Sequence, residues 1–292
     1  MTAATAAPAA GSGKGHTDEN FPVGSVLIAR RNRPVVLAFY RVARMADDVA
    51  DHPDLSSQEK LDQLELIEAS LTGSGQDVAA AVVLRKQLAQ RQITERHVLD
   101  LLEAFRRDAV KSRYASWTDL MDYCRYSAAP VGRFMLDVHG ESRALWPESD
   151  ALCAALQIIN HLQDCAKDYR DIDRVYVPAD ALAAEGLSVE ALAAPEASAA
   201  LRRVIASLAD RTEGLLASSR GFGALARDVR IGLEIGVIEA IAQRLVRRLQ
   251  TSDPLSERVH LTSLEAIVCA AGGAGRTLAG RLFSRQARAA AA

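Results

Sequence analysis

An all-α fold in a single domain is what this sequence predicts, on three observations. Helix start and stop signals bracket long stretches of the chain, and apolar residues recur at helical spacing. No segment alternates apolar and polar residues with the period of two that a half-buried strand needs, and β-branched runs are short. With 292 residues, 49% of them hydrophobic, the chain is long enough to bury one large core. No internal repeat at a solenoid period is present.

The elements follow in order. Residues 1–17, MTAATAAPAAGSGKGHT, are rich in Ala, Gly, Ser and Pro and lack the apolar run of a signal peptide, so a disordered tail is expected ahead of a domain over 18–286. Asn32 is a plausible N-cap, and Pro34 falls in the first turn of a helix that runs to Asp51, before His52-Pro53. Ser56 and Glu59 have capping-box spacing, and Gly73 ends the helix they open. A loop is expected at 73–77. Val98, Leu101, Leu102 and Phe105 form the stripe of an amphipathic helix. Residues 123–140 read as a helix interrupted near Ala129-Pro130 and ended by Gly140. After a loop around 185–195, three helices are expected near 196–219, 228–250 and 261–284.

Bulk properties exclude several functions. A net charge of −2 and an isoelectric point near 6.3 give no polyanion-binding surface, so no nucleic-acid partner is expected. Arg244, Arg247 and Arg248 read as a solvated helix face. Four cysteines without CxxC spacing predict a reduced, cytoplasmic protein, and six histidines without an HxxxH or HExxH pair argue against zinc. No stretch approaches the ~20 apolar residues of a membrane span, although a lipophilic ligand would still allow peripheral contact with a membrane.

The stretch ARMADDVAD (43–51) carries the first chemical signal. At 100° per residue, Tyr40, Arg44, Asp47, Asp48 and Asp51 share one face, and Val35, Ala38, Val42, Met45 and Val49 share the opposite one. Alone, this cluster also fits a solvated acidic helix end. Carboxylates at a helix C-terminus oppose its dipole, however, and call for a compensating cation. A second stripe decides between the readings: Gln157, Asn160, Asp164 and Asp168 again align, with Leu152, Ala155, Ile159 and Leu162 opposite. Two helices thus each present hard oxygen ligands. Oxygen-only donors suit Mg²⁺ held by a few carboxylates and completed by substrate phosphates, and Arg44, Lys167, Arg170 and Arg174 are placed to complete a diphosphate clamp. In the interrupted helix, Ser127, Ala128, Ala129 and Gly132 are expected to leave room for a long ligand. Tyr123, Tyr40 and Phe21 offer aromatic faces to a carbocation.

Together these segments resemble the squalene/phytoene synthase family, over nearly the whole chain apart from the tail. DDVAD is similar to its first aspartate-rich motif, through Asp47 and Asp51, and QIINHLQDCAKD to its second, through Gln157, Asn160, Asp164 and Asp168. RVYVP (174–178) is similar to the RxYxP signature. YCRYSAAPVG places Tyr123 at the functional tyrosine, and Tyr40 and Arg44 match substrate-diphosphate positions. The resemblance implies a type I isoprenoid synthase bundle with a central cavity and two or three Mg²⁺ ions. It places Asp47, Asp48, Asp51, Asn160, Asp164 and Asp168 on metal. Phe21, Tyr40, Arg44, Gln157, Lys167 and Arg174 fall on substrate, and Asp47, Asp51, Tyr123, Asp164 and Asp168 in catalysis.

Within the family, ENFPV, YCRYSAAPVGR and HLQDCAKDYRDIDRVYVP look most like the branch that makes hydroxysqualene for hopanoid biosynthesis. The implied reaction ionises presqualene diphosphate, rearranges the cation and captures water, with no NAD(P)H and with substrate handed over by a presqualene diphosphate synthase. Gln163 stands where many relatives carry an arginine facing the diphosphate, which fits a changed first half-reaction. The alternatives are condensation of two prenyl diphosphates such as farnesyl diphosphate, as in presqualene diphosphate, squalene or phytoene synthases, and a non-catalytic helical assembly factor.

Overall fold

The computed structural model describes the backbone of residues 28–290 and the side chains of 28–283; Phe21 and the 1–17 segment lie outside this range. All its regular secondary structure is helical. The helices are α1 (Arg33–Ala50), α2 (Ser57–Thr72), α3 (Ala79–Arg91), α4 (Arg96–Val110), α5 (Trp117–Ser127), α6 (Ala129–Val138), α7 (Trp146–Gln163), α8 (Cys165–Ile172), α9 (Ala179–Ala184), α10 (Ala199–Ser218), α11 (Val229–Leu249) and α12 (Ser263–Ala290). The predicted loop around 185–195 contains a 3₁₀ turn, Val189–Ala193. No helix among the described residues is long and apolar enough to cross a membrane.

Two apolar clusters hold the bundle. Val35, Val42 and Ala46 of α1 pack with Leu64 of α2, Leu84 of α3 and Leu101 of α4. Leu152, Ile158 and Ile159 of α7 pack with Leu208 of α10 and Leu245 of α11. Phe39 of α1 stacks on Phe134 of α6 with ring centroids 3.9 Å apart, which joins α1 to the α6–α7 side. The acid-bearing face of α1 is the one left over after Val35, Ala38 and Val42 have been buried.

Local chemistry explains the helix ends. Ser56 and Glu59 form the complete capping box, and Gly73 takes a left-handed φ of 79° at the C-cap. Asn32 holds the N-cap position but does not cap. Its backbone is helical rather than extended, Pro34 offers no N–H, and its side-chain nitrogen has no partner. The expected interruption falls at Ala128, between α5 and α6, with Pro130 in the first turn of α6. The small residues do not keep a channel open there. Ala128 and Ala129 are buried, and a Cβ on Gly132 would collide with Ser149 and Cys153, so glycine serves close packing of α6 on α7.

Glycine also sets the outermost layer. A Cβ on Gly273 of α12 would overlap the carbonyl oxygen of Gly236 on α11, and one on Gly236 would overlap Thr277 Oγ1. The two backbones therefore touch directly. Arg244 and Arg248 of α11 both bind Glu265, and Arg248 also donates to the His260 carbonyl. This corrects the reading of Arg244, Arg247 and Arg248 as a solvated face: Arg247 is exposed, but Arg244 and Arg248 face water only in part, because α12 supplies the acid that holds them.

Candidate active site

The site is built where α1 ends, where α7 passes into α8, and where the chain leaves α8. On α1, Arg44 lies one helical turn before two aspartates, so one guanidinium serves both. Its Nη1 is 2.9 Å from Asp47 Oδ2 and its Nη2 2.9 Å from Asp48 Oδ1. Asp51 closes the helix, and its carboxylate finds a different cation: Arg174 Nη1 donates to Asp51 Oδ1 at 2.7 Å.

The second stripe is not carried on one helix. α7 stops at Gln163, Asp164 sits at the junction with φ −101° and ψ 7°, and α8 restarts at Cys165. The chain stays in helical register across the junction, because Asp168 N–H still bonds the Asp164 carbonyl. Asp164 is consequently exposed and Asp168 half-buried. Tyr40, Arg44, Asp47, Asp48, Asp51, Gln157, Asn160 and Asp168 are all partly buried, the class expected of residues lining a cleft.

The Arg174–Asp51 contact brings the end of the second stripe close to the first, and their carboxylates act on each other. The Asp47 carboxyl is pushed up to about 7, first by burial and then by repulsion from Asp51, against the pull of Arg44. Its side chain keeps 39% of its surface, so water screens part of that repulsion. Asp168 is also pushed up to about 7, by burial, then by Asp164, and from across the cleft by Asp51. Asp51 thus feels carboxylates of both stripes. The donor set is hard oxygen at negative potential, which fits Mg²⁺. Among the described residues no three His, Cys, Asp or Glu side chains converge on one metal position.

Beneath the aspartates lies a layer that sequence reasoning did not assemble. Arg174 is 6% exposed; its Nη2 donates to the Asp108 carbonyl oxygen at 3.1 Å and its Nε lies 3.7 Å from Asp108 Oδ1. Asp108 also accepts from Tyr123 Oη at 2.7 Å and from Tyr176 Oη at 3.4 Å. Burial pushes the Asp108 carboxyl up to about 6, opposed by Arg174 and by the Tyr123 hydroxyl. His161 stacks on Tyr176 at 3.4 Å and is held neutral, its imidazole pushed down to about 3 by burial and by Arg174. Arg174 and Tyr123 were already candidates; for Asp108 and Tyr176 the sequence signals were a lone acid in the basic run RRDAVK and the tyrosine of RVYVP. A polar cavity of about 390 Å³ lies against this layer, with Asp51, Lys60, Asp108, Lys111 and Arg174 in its wall.

Several expected site residues are engaged elsewhere. Gln157 Nε2 is 3.1 Å from His161 Nε2, and Lys167 is exposed and 3.6 Å from Asp171. Gln163 is buried and donates to the Val259 carbonyl, so it anchors the segment before α12. Tyr123 is 3% exposed, its ring packed among Tyr114, Tyr176 and His161.

Residues 14–265 match the family model for squalene/phytoene synthase. The chain belongs to that family. Among squalene/phytoene synthase relatives, it is 53% identical over 274 residues to the hydroxysqualene synthase of Rhodopseudomonas palustris, covering 94% of each chain. It resembles the crystal structure of squalene synthase HpnC from Alicyclobacillus acidocaldarius with a TM-score of 0.69 and 31% identity, over 78% of this chain and 86% of that one. A dehydrosqualene synthase shares the fold at a TM-score of 0.71 and 20% identity, over 87% of this chain and 90% of that one. The family's helical isoprenoid synthase fold is the one seen here. The family match ends at residue 265, so nearly all of α12 lies beyond it.

Proposed function

We propose that this chain converts presqualene diphosphate and water into hydroxysqualene and diphosphate. The observation that carries the reading is the 53% identity, along almost the full length, to a protein named for that product, joined to facing acid stripes at the matching motifs.

Asp47, Asp48 and Asp51 on one side, and Asn160, Asp164 and Asp168 on the other, would hold the Mg²⁺. Bound Mg²⁺ neutralises the charge that builds on the diphosphate as its C–O bond breaks. Arg44 and Arg174 stand beside those carboxylates and supply the fixed positive charge of the clamp. Tyr40 shares the Arg44 face of α1 and lies toward the same substrate. Gln157 and Lys167 reach a phosphate oxygen only by exchanging His161 and Asp171, their present partners. Once the bond has broken, the cyclopropylcarbinyl cation rearranges, water adds to it and a proton leaves. Tyr123, held by Asp108, gives the apolar interior an aromatic wall with its hydroxyl hydrogen already committed. This direct hydration requires no hydride donor.

The substrate is supplied by an enzyme that condenses two farnesyl diphosphates. The free thiols Cys124, Cys153, Cys165 and Cys269 support a reducing, cytoplasmic setting. The test is product identification. Purified protein with Mg²⁺ receives presqualene diphosphate in one reaction and farnesyl diphosphate in another, each with and without NADPH. Hydroxysqualene from the first, independent of NADPH, is the expected result. Turnover of farnesyl diphosphate alone, or release of diphosphate only with NADPH, overturns it.

A further inference from the structure

α12 packs on α11 through Gly273, Thr277 and Glu265, and among the described residues nothing covers its opposite side. There, Leu264, Ile267, Val268, Leu278, Leu282 and Phe283 are 47 to 71% exposed. Leu264, Val268, Ala271, Gly275, Leu278 and Leu282 follow each other at steps of four and three residues and so form one line along the helix. At 1.5 Å per residue that line is about 28 Å long. Scattered exposed leucines are ordinary; a continuous apolar line of this length marks a contact surface.

The charge of the helix selects what the line contacts. α12 contains four arginines, at 276, 281, 285 and 288, and a single acid, Glu265, in a chain whose net charge is −2. Glu265 is already bound by Arg244 and Arg248, so it does not offset the arginines. A second copy docking on this face would bring two cationic helices together, whereas an anionic lipid surface complements both the apolar line and the net positive charge of the helix. The helix is also preformed. Backbone contact between Gly236 and Gly273 fixes it on α11, so docking requires no folding step.

We propose that the exposed face of α12 docks this protein on a bilayer carrying anionic headgroups, the helix lying in the interface plane. The apolar line enters the acyl boundary and the exposed Arg276 meets lipid phosphates, while Arg281 stays on the protein, where it donates to the Ala226 and Arg227 carbonyls. The surface is distinct from the acid-lined site and does not depend on the reaction proposed above, although a prenyl-chain substrate would reside in the same bilayer.

The test is vesicle co-sedimentation of the full chain. It uses vesicles of phosphatidylcholine alone and of phosphatidylcholine with about one-third phosphatidylglycerol, and compares wild type with L278Q/L282Q/F283Q and with R276E. Wild type is expected to partition onto the anionic vesicles about tenfold more than onto neutral ones. The triple variant is expected to lose about tenfold of that binding, and R276E to lose preference for the anionic vesicles. Helix content by circular dichroism and turnover of detergent-dispersed substrate should stay at wild-type levels in both variants. Turnover reports on the proposed reaction separately, so failure of one reading leaves the other visible. Absence of wild-type binding, equal binding by the triple variant, or a wild-type dimer in light scattering that the triple variant dissolves would each overturn the proposal.

Discussion

Arg174 Nη1 stands 2.7 Å from Asp51 Oδ1, joining positions 123 residues apart in sequence. Through that contact the residue that follows the second acidic stripe holds the last acid of the first. The same guanidinium reaches Asp108, which in turn holds Tyr123 and Tyr176. Its cost in desolvation is offset only while both carboxylates are present, because burying an unpaired charge is far more costly than burying a paired one.

Arg174→Gln removes the cation from that network. The side chain is 7% exposed and its partner Asp108 5%, so about 3 kcal/mol of folding stability should be lost, with turnover down by orders of magnitude. Urea unfolding read beside product formation checks both. Wild-type stability in the variant would mean that Arg174 is solvated in the working protein.

Asp108→Asn keeps the shape of the side chain and deletes its charge. Tyr123 then loses a charged acceptor at 2.7 Å, and Arg174 one of its two counter-ions. We expect kcat to fall by about tenfold or more while KM moves little, since the residue positions other groups and lies beneath the aspartates. A change in KM alone would place Asp108 in direct substrate contact instead.

The metal-free protein should lose stability as pH rises. Asp47 and Asp168 stand at about 7 when folded, against an ordinary 3.8, so the folded state holds protons that the unfolded state has released. Stability from these groups is fully present below about 4 and disappears as pH climbs through 7. Asp168→Asn escapes the repulsion, so its melting temperature in EDTA should exceed that of wild type by a margin that widens from pH 5 to pH 8. Thermal melts across that range decide, and a constant margin would show that Asp168 is not under strain. Mg²⁺ binding should release protons near neutral pH, which calorimetry in two buffers of different ionisation enthalpy can measure.

Gly273→Ala forces a methyl into the Gly236 carbonyl, a backbone atom that cannot rotate away. Separation of α12 from α11 should cost about 1–3 kcal/mol, visible as a lower urea midpoint. A neutral result would mean that the two helices are not in backbone contact.

Much of the molecule was legible in the chain itself. The capping box at Ser56 and Glu59, the left-handed Gly73 and the interruption before Pro130 are local events. Each is decided within a few residues by a hydroxyl, a missing Cβ or a missing N–H. The acid faces of α1 and of the α7–α8 segment follow from helical periodicity for the same reason. Asn32 failed as a cap because its backbone turned helical, which residue type does not specify.

Pairings between distant segments belonged to the tertiary structure. Residue type alone gave no way to see that Gln163 would anchor Val259, or that Gly132 would close a packing gap and leave no channel. The same holds for Asp108, which gathers Arg174, Tyr123 and Tyr176. Sequence by itself determined the helices, their apolar faces and which acids each one displays, because those depend on neighbours three or four positions away. Only packing decided which cation answers which acid, since a charge is satisfied by whatever lies within a few ångströms, and that distance is set by the whole bundle.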